Sequence, residues 1–176
     1  RTVTEAWVVC KRARGQNHGM KRRAGSIPLL AAHLAAIAGV WLLGWSWSGF
    51  GLAASMYFAR MIVVTAGYHR YFAHRPFSTS RAFQILLAVG AQSAAQRGVL
   101  WWASHHRWHH RYSDGELDVH SAKRRGFLHA HIGWLFADTW NTTDPKLVSD
   151  LYKLPELRWL DRSGVALLPA VALGLA

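Results

Sequence analysis

The run Ile27–Leu43 (IPLLAAHLAAIAGVWLL) carries no charged side chain, and no other stretch limits the possible folds of this chain so strongly. With the Gly and Trp that follow it reaches about 20 residues, enough for a helix to cross a ~30 Å hydrocarbon core. A signal peptide fits less well, because the run is long for such an apolar region and no A-x-A site follows before the next one. That next block, Phe50 to Gly67, contains a single charge, Arg60, and returns as the other arm of a hairpin. An Arg at mid-depth is costly in lipid, so Arg60 is expected to snorkel or to face protein. Trp41, Trp45 and Trp47 beside Gly44 and Gly49 have the look of an interfacial aromatic belt around a short turn.

The formal charge of +12 would suggest nucleic acid, but it is not gathered into one stripe. Residues 1–23 hold seven Lys or Arg against one acid, Glu5, which is the positive-inside pattern of a cytoplasmic N-terminus; no nucleic-acid partner is expected. Cys10 is the only cysteine, so a disulfide framework and a thiolate zinc motif are both excluded. The chain opens on Arg1 rather than Met and closes inside the apolar run GVALLPAVALGLA, as expected of a piece of a longer protein.

A third apolar stretch, residues 82–91, is too short to cross and is expected as a buried or interfacial helix. Residues 113–162 are polar and rich in turn formers such as Asn141, Asp144 and Pro145. The expected fold is therefore an all-α integral membrane protein. Residues 1–26 form a basic cytosolic segment, 27–67 a transmembrane hairpin, 68–162 a cytosolic or interfacial catalytic region, and 163–176 the start of a third transmembrane helix.

Five histidines fall in two tight clusters, His69 and His74 in GYHRYFAHRPF, and His106, His109 and His110 in SHHRWHHRYSD. Five imidazoles exceed the need of one tetrahedral ion, which points to two metals. On a helix, His106, His109 and His110 at i, i+3 and i+4 share one face. His69 and His74 are five apart, about 140° around an α-helix, so on that geometry they need not serve the same ion. A carboxylate-bridged di-iron bundle needs Glu-x-x-His motifs, and this sequence has none.

TAGYHRYFAHRPF resembles the first histidine box (H-x-x-x-x-H), and HRWHHRYSD the second (H-x-x-H-H), of the membrane acyl-CoA desaturases, the stearoyl-CoA delta-9 group. GELDVHSAKRRGFLHAHIGWLF is similar to the segment after that second box. The resemblance implies a non-haem di-iron centre on the cytosolic face of a membrane anchor. With O2 it removes two hydrogens from adjacent methylenes of a saturated acyl chain and leaves a cis double bond. By motif position, His69, His74, His106, His109 and His110 are the implied iron ligands, and His105 falls outside the box. A third H-x-x-H-H and a later histidine of the family have no counterpart here, so the metal site of this stretch is expected to be incomplete. His120, His129 and His131 lack box spacing and are expected in supporting or structural roles.

Further candidates are Asp114, Glu116 and Asp118, placed to orient ligand imidazoles. Trp101 and Trp102 are candidates to wall an acyl channel, and Arg97, Lys123, Arg124 and Arg125 to meet the phosphates of an acyl carrier or of anionic lipid. The acyl substrate is expected on CoA or linked to lipid. No flavin, haem or dinucleotide motif is present, so electrons are expected from a ferredoxin, rubredoxin or cytochrome b5-like protein and its reductase. The rival readings are a di-iron membrane hydroxylase of alkanes or lipids, and a metal transporter or bis-histidine haem anchor. A transporter would place ligands within its spans, where His33 stands alone.

Overall fold

The computed structural model describes residues 27–136 and 142–175; the basic segment 1–26, with Cys10 and His18, and the turn former Asn141 lie outside them. Among the described residues every regular element is helical, as the sequence leads one to expect. They fall into two compact units, one of residues 27–46, 114–136 and 142, the other of residues 47–113 and 143–175.

In the first unit, α1 (Ile27–Leu43) is the uncharged run itself. Gly44 ends it with φ +78°, a left-handed conformation that glycine adopts without steric cost. Leu34, Ile37, Val40 and Leu43 are all exposed. The same unit holds α2 (Ala122–Arg125), α3 (Phe127–His131) and a 3-10 turn (Gly133–Phe136). Ser121 caps α2 by accepting the Arg124 amide, and Gly126, at φ +81°, turns the chain between α2 and α3.

The second unit opens with α4 (Trp47–Val63), which runs on without a break into a π-helix, Val64–His74. Together they span 28 residues, Trp47–His74, whose most apolar 18-residue window has a mean hydropathy of 1.4, long and apolar enough to cross a membrane. Their character changes at the junction. No residue of α4 is buried, whereas the π-helix buries Val64, Tyr68, Tyr71 and Phe72. Arg60 near the end of α4 has a buried Nε with no hydrogen-bond partner among the described residues.

Next comes α5 (Arg81–Gln92), where Ser80 caps the first turn by accepting the Phe83 amide. Its buried residues, Gln84, Leu87, Ala88, Ala91 and Gln92, recur at i, i+3, i+4, i+7 and i+8, one stripe of an α-helix. That stripe faces the π-helix, and the two backbones meet at Gly67. A Cβ there would lie 2.9 Å from the Leu87 carbonyl oxygen, so only glycine permits the approach. Across the same contact the Tyr71 hydroxyl donates to Gln84 Oε1 at 2.9 Å.

Then α6 (Val99–Tyr112) packs on the π-helix, and α7 (Ser149–Tyr152) and α8 (Pro155–Leu160) close the core. Val148, Leu151, Leu157 and Leu160 join Phe72, Leu87, Val99 and Leu100 there, each large side chain worth roughly 1.5–3 kcal/mol of burial. The segment expected to be polar and turn-rich thus supplies four of the fourteen buried residues of that core. A bidentate pair, Arg81 to Glu156 at 2.6 and 2.8 Å, fastens α8 to the start of α5.

The apolar block from Gly164, expected as the start of a third spanning helix, is helical with one interruption. It forms α9 (Ser163–Ala166) and α10 (Leu168–Leu175), interrupted at Leu167, with α10 against α5. Pro169 has no N–H to continue the ladder back to Val165, and this breaks the run.

Candidate metal centre

Two helices of different type bring four histidines together. The π-helix carries His69 and His74, and α6 carries His106 and His110. One ring nitrogen from each lies within 4.8 Å of those of the other three. His74 Nε2 is 3.2 Å from His69 Nε2 and 3.2 Å from His106 Nε2, and His110 Nε2 is 3.0 Å from His106 Nε2.

His69 and His74, which on α-helical geometry need not serve one ion, stand side by side here, and the reason is the helix type. In an i→i+5 ladder, residues five apart stack as residues four apart do in an α-helix. The Arg75 amide donates to the Arg70 carbonyl at 2.9 Å, a bond of this kind, and it closes the segment. Arg75 itself turns left-handed at φ 58°, and Pro76 follows. On α6 the ordinary i, i+4 spacing does the same for His106 and His110.

Hydrogen bonding does not account for the cluster. A ring nitrogen has either one N–H or one lone pair, yet Nε2 of His74 and Nε2 of His106 each approach two other nitrogens. A shared cation would account for it. Ligand nitrogens at ~2.1 Å from a metal stand roughly 3.0–3.4 Å from one another for right-angled to tetrahedral arrangements, which matches the separations here. The donors also suit a metal chemically. Burial first, and then the neighbouring imidazoles, led by His110, lower His106 from the ordinary 6.5 to about 3, so it is neutral and able to ligate.

His109 stands apart from this group. Its ring centroid is 6.4 Å from that of His106 and 5.6 Å from that of His110, and it is not among the four converging donors. His105, outside the box, is buried, bonds the Trp101 carbonyl through Nδ1 at 2.8 Å and stacks on Trp101 at 4.2 Å.

Trp101 is buried, with the Arg97 guanidinium 4.6 Å over its ring. Trp102 is half-buried and lies nearly parallel to His106 at 4.8 Å, with the Tyr68 ring tilted against it at 5.3 Å. The Arg97 carbonyl accepts the Tyr68 hydroxyl at 2.6 Å. In the first unit, Asp118 is buried and accepts the amides of Asp114 and His120, while the Asp114 carboxylate accepts the Ser121 hydroxyl at 2.8 Å. Glu116 is exposed. Lys123, Arg124 and Arg125 are exposed on α2, with Arg124 Nε donating to the Asp114 carbonyl at 2.8 Å. His129 approaches the Val119 carbonyl, and His131 stacks on Phe127.

Three residues that hold the site in place escape sequence reasoning. Asp161 Oδ1 accepts the amides of Leu100 (2.8 Å) and Trp101 (2.9 Å), and so caps α6 from a distant part of the chain. Burial raises this carboxyl, and the amides of Trp101 and Leu100 and the Thr143 hydroxyl offset only part of the rise. Arg107 and Asp150 are the other two. Arg107 donates to the carbonyls of Phe72, Ala73 and Leu147 and to both carboxylate oxygens of Asp150. Only the position of Arg107 inside the second cluster could have drawn attention to it.

No family model matches this chain. Individual proteins do. It is similar to the acyl-CoA Delta(11) desaturase of Trichoplusia ni, at 33% identity over 150 residues, 82% of this chain and 43% of the relative. It resembles the hex-5-enoyl-[acyl-carrier protein] acetylenase of Moorena producens at 37% over 135 residues, 70% of this chain and 40% of the relative. It also resembles stearoyl-CoA desaturase 5 of Homo sapiens at 42% over 92 residues, 52% of this chain and 26% of the relative. The chain spans less than half the length of these curated relatives. Two histidine clusters meeting in space, within a stretch aligned to several such enzymes, place the chain in the acyl-CoA desaturase family.

Proposed function

We propose that this chain carries part of the metal centre of an O2-dependent fatty acyl desaturase, and that its finer activity is a cis double bond at the delta-9 position. The convergence of His69, His74, His106 and His110 at 3.0–3.2 Å carries this reading. Relatives named as delta-11 desaturase and as acetylenase are 33% and 37% identical to this chain, so bond position is the finest part of the proposal.

The chemistry that bound iron supplies is O2-dependent oxidation, by which two hydrogens leave adjacent methylenes of the acyl chain. The residues of this chain bind and orient. His69, His74, His106 and His110 would hold one ion, and His109 with further histidines outside this stretch would complete a pair of sites. Trp102, flat against His106, shields one side of the cluster from water and is placed to wall the acyl chain beside it. Lys123, Arg124 and Arg125, exposed together, suit the phosphates of an acyl carrier. Electrons come from a separate small redox protein with its reductase.

Integration into a membrane belongs to the same reading. A 28-residue apolar helix with 6% of its most apolar window buried is unlike the core helix of a water-soluble domain, and lipid covers such a surface. The histidine side then faces the cytoplasm, since Arg70, Arg75, Arg107 and Arg111 flank the two clusters.

The test is complementation. Full-length protein expressed in a desaturase-deficient yeast should restore unsaturated acyl chains, and mass spectrometry of derivatised products should place the double bond at carbon 9. An acyl alcohol as the product would establish a hydroxylase instead. Product without loss on His106→Ala would remove the cluster from the chemistry.

A further inference from the structure

We infer that Arg107 is a positioning residue: it holds the C-terminal end of the π-helix in its i→i+5 register, and thereby fixes His74 against His106. The observation is a guanidinium with every donor engaged. Nε donates to the Ala73 carbonyl at 3.0 Å and Nη2 to the Phe72 carbonyl at 2.7 Å. Nη1 donates to the Leu147 carbonyl at 2.8 Å, and Nη1 and Nη2 grip Asp150 at 2.7 and 3.0 Å. A guanidinium has five N–H groups, and five acceptors take them, so none is left over for substrate or carrier.

The acceptors give the arrangement its meaning. The last carbonyls of a helix have no partner within it, and Phe72 and Ala73 are the last residues before His74. A cation at that end supplies the missing donors. This cation is the neighbour of His106 on α6, so the residue that closes one ligand helix is part of the other. Asp150 neutralises the charge and fixes the plane of the fork. A π ladder is rare and convertible, and in an α register His74 would sit about 140° from His69 instead of beside it. Arg107 opposes that conversion, because relaxing the register would move two carbonyls off its donors.

The inference rests on the reading of His69, His74, His106 and His110 as ligands, and the experiment has one arm independent of metal. In the metal-free full-length protein in detergent, hydrogen exchange read by mass spectrometry should be about tenfold faster over residues 69–78 in Arg107→Ala, with residues 81–92 within about twofold of wild type. In the second arm, cobalt(II) titration should show affinity weakened about 10–100-fold and a shifted ligand-field spectrum. Arg107→Lys keeps the charge but offers three donors to five acceptors. It should fold, with helical circular dichroism intact, and show the same two changes to a smaller extent.

Wild-type exchange and wild-type cobalt affinity in a folded Arg107→Lys protein would overturn the inference, and this variant decides the matter if Arg107→Ala does not fold. Failure of the wild-type protein to bind cobalt, with the exchange difference present, would instead overturn the ligand reading and leave Arg107 as the clamp of the π-helix.

Discussion

The two segments that carry the histidines solve one geometric problem in different ways. On α6, His106 and His110 stand four apart on an ordinary helix and converge at 3.0 Å. On the π-helix, His69 and His74 stand five apart and converge at 3.2 Å. Spacing and helix type are matched in each case, so that each presents two imidazoles on one face. The two are also held differently. The α-helix takes a cap at its start from Asp161, and the π-helix is tied along its length by Gly67 against α5, by Tyr68 and Tyr71 hydroxyls, and by Arg107 at its end.

The sharpest test of this contrast moves a ligand by one residue. The double variant Ala73→His, His74→Ala restores an i, i+4 pair, which would serve an α-helix. It should lose cobalt(II) binding as completely as His74→Ala alone, measured by titration of the full-length protein. Wild-type affinity in the double variant would mean that the segment is α-helical in solution.

The next effect concerns acid. His106 sits near 3 when folded and at 6.5 when free, so between those values the unfolded chain binds the proton and the folded one does not. Stability of the metal-free protein should therefore fall progressively as the pH drops from about 6.5 toward 3. His106→Gln should flatten that slope, as followed by urea unfolding at several pH values, and an unchanged slope would exclude His106 as its source.

A smaller loss is expected from Gly67→Ala, which forces the π-helix off α5 and should cost roughly 1–3 kcal/mol. Asp161→Ala leaves the amides of Leu100 and Trp101 without their acceptor and should cost about 1–2 kcal/mol. Thermal unfolding followed by tryptophan fluorescence measures both. Equal stability of Gly67→Ala and wild type would show that the close approach of π-helix and α5 is not maintained.

The all-helical character, the two clusters and the face shared by His106 and His110 were legible in the sequence, because periodicity and spacing are local signals. The register around His69 was not. A 3.6-residue period is the default for reading any helix, and nothing local in VTAGYHRYFAH announces a π ladder. The same default put His109 with its neighbours by i, i+3 spacing, whereas the structure groups four other residues with one another. Arg107, Asp150 and Asp161 were invisible for a different reason. The hydrogen bonds by which they hold α6 and the π-helix join residues 34 to 61 positions apart, and no short window contains both partners.

Asp161 also fixes an order of events during synthesis. All four converging histidines have been polymerised by residue 110, but the oxygen that closes the first turn of α6 belongs to residue 161. At about 5–20 residues per second the ribosome needs on the order of several seconds to add the roughly 50 residues between them. Through that interval the nascent chain holds all four imidazoles while α6 has no cap, and Arg107 lacks Asp150 and Leu147 for most of it. The imidazoles therefore come under their final geometric control only after residue 161 has cleared the exit tunnel.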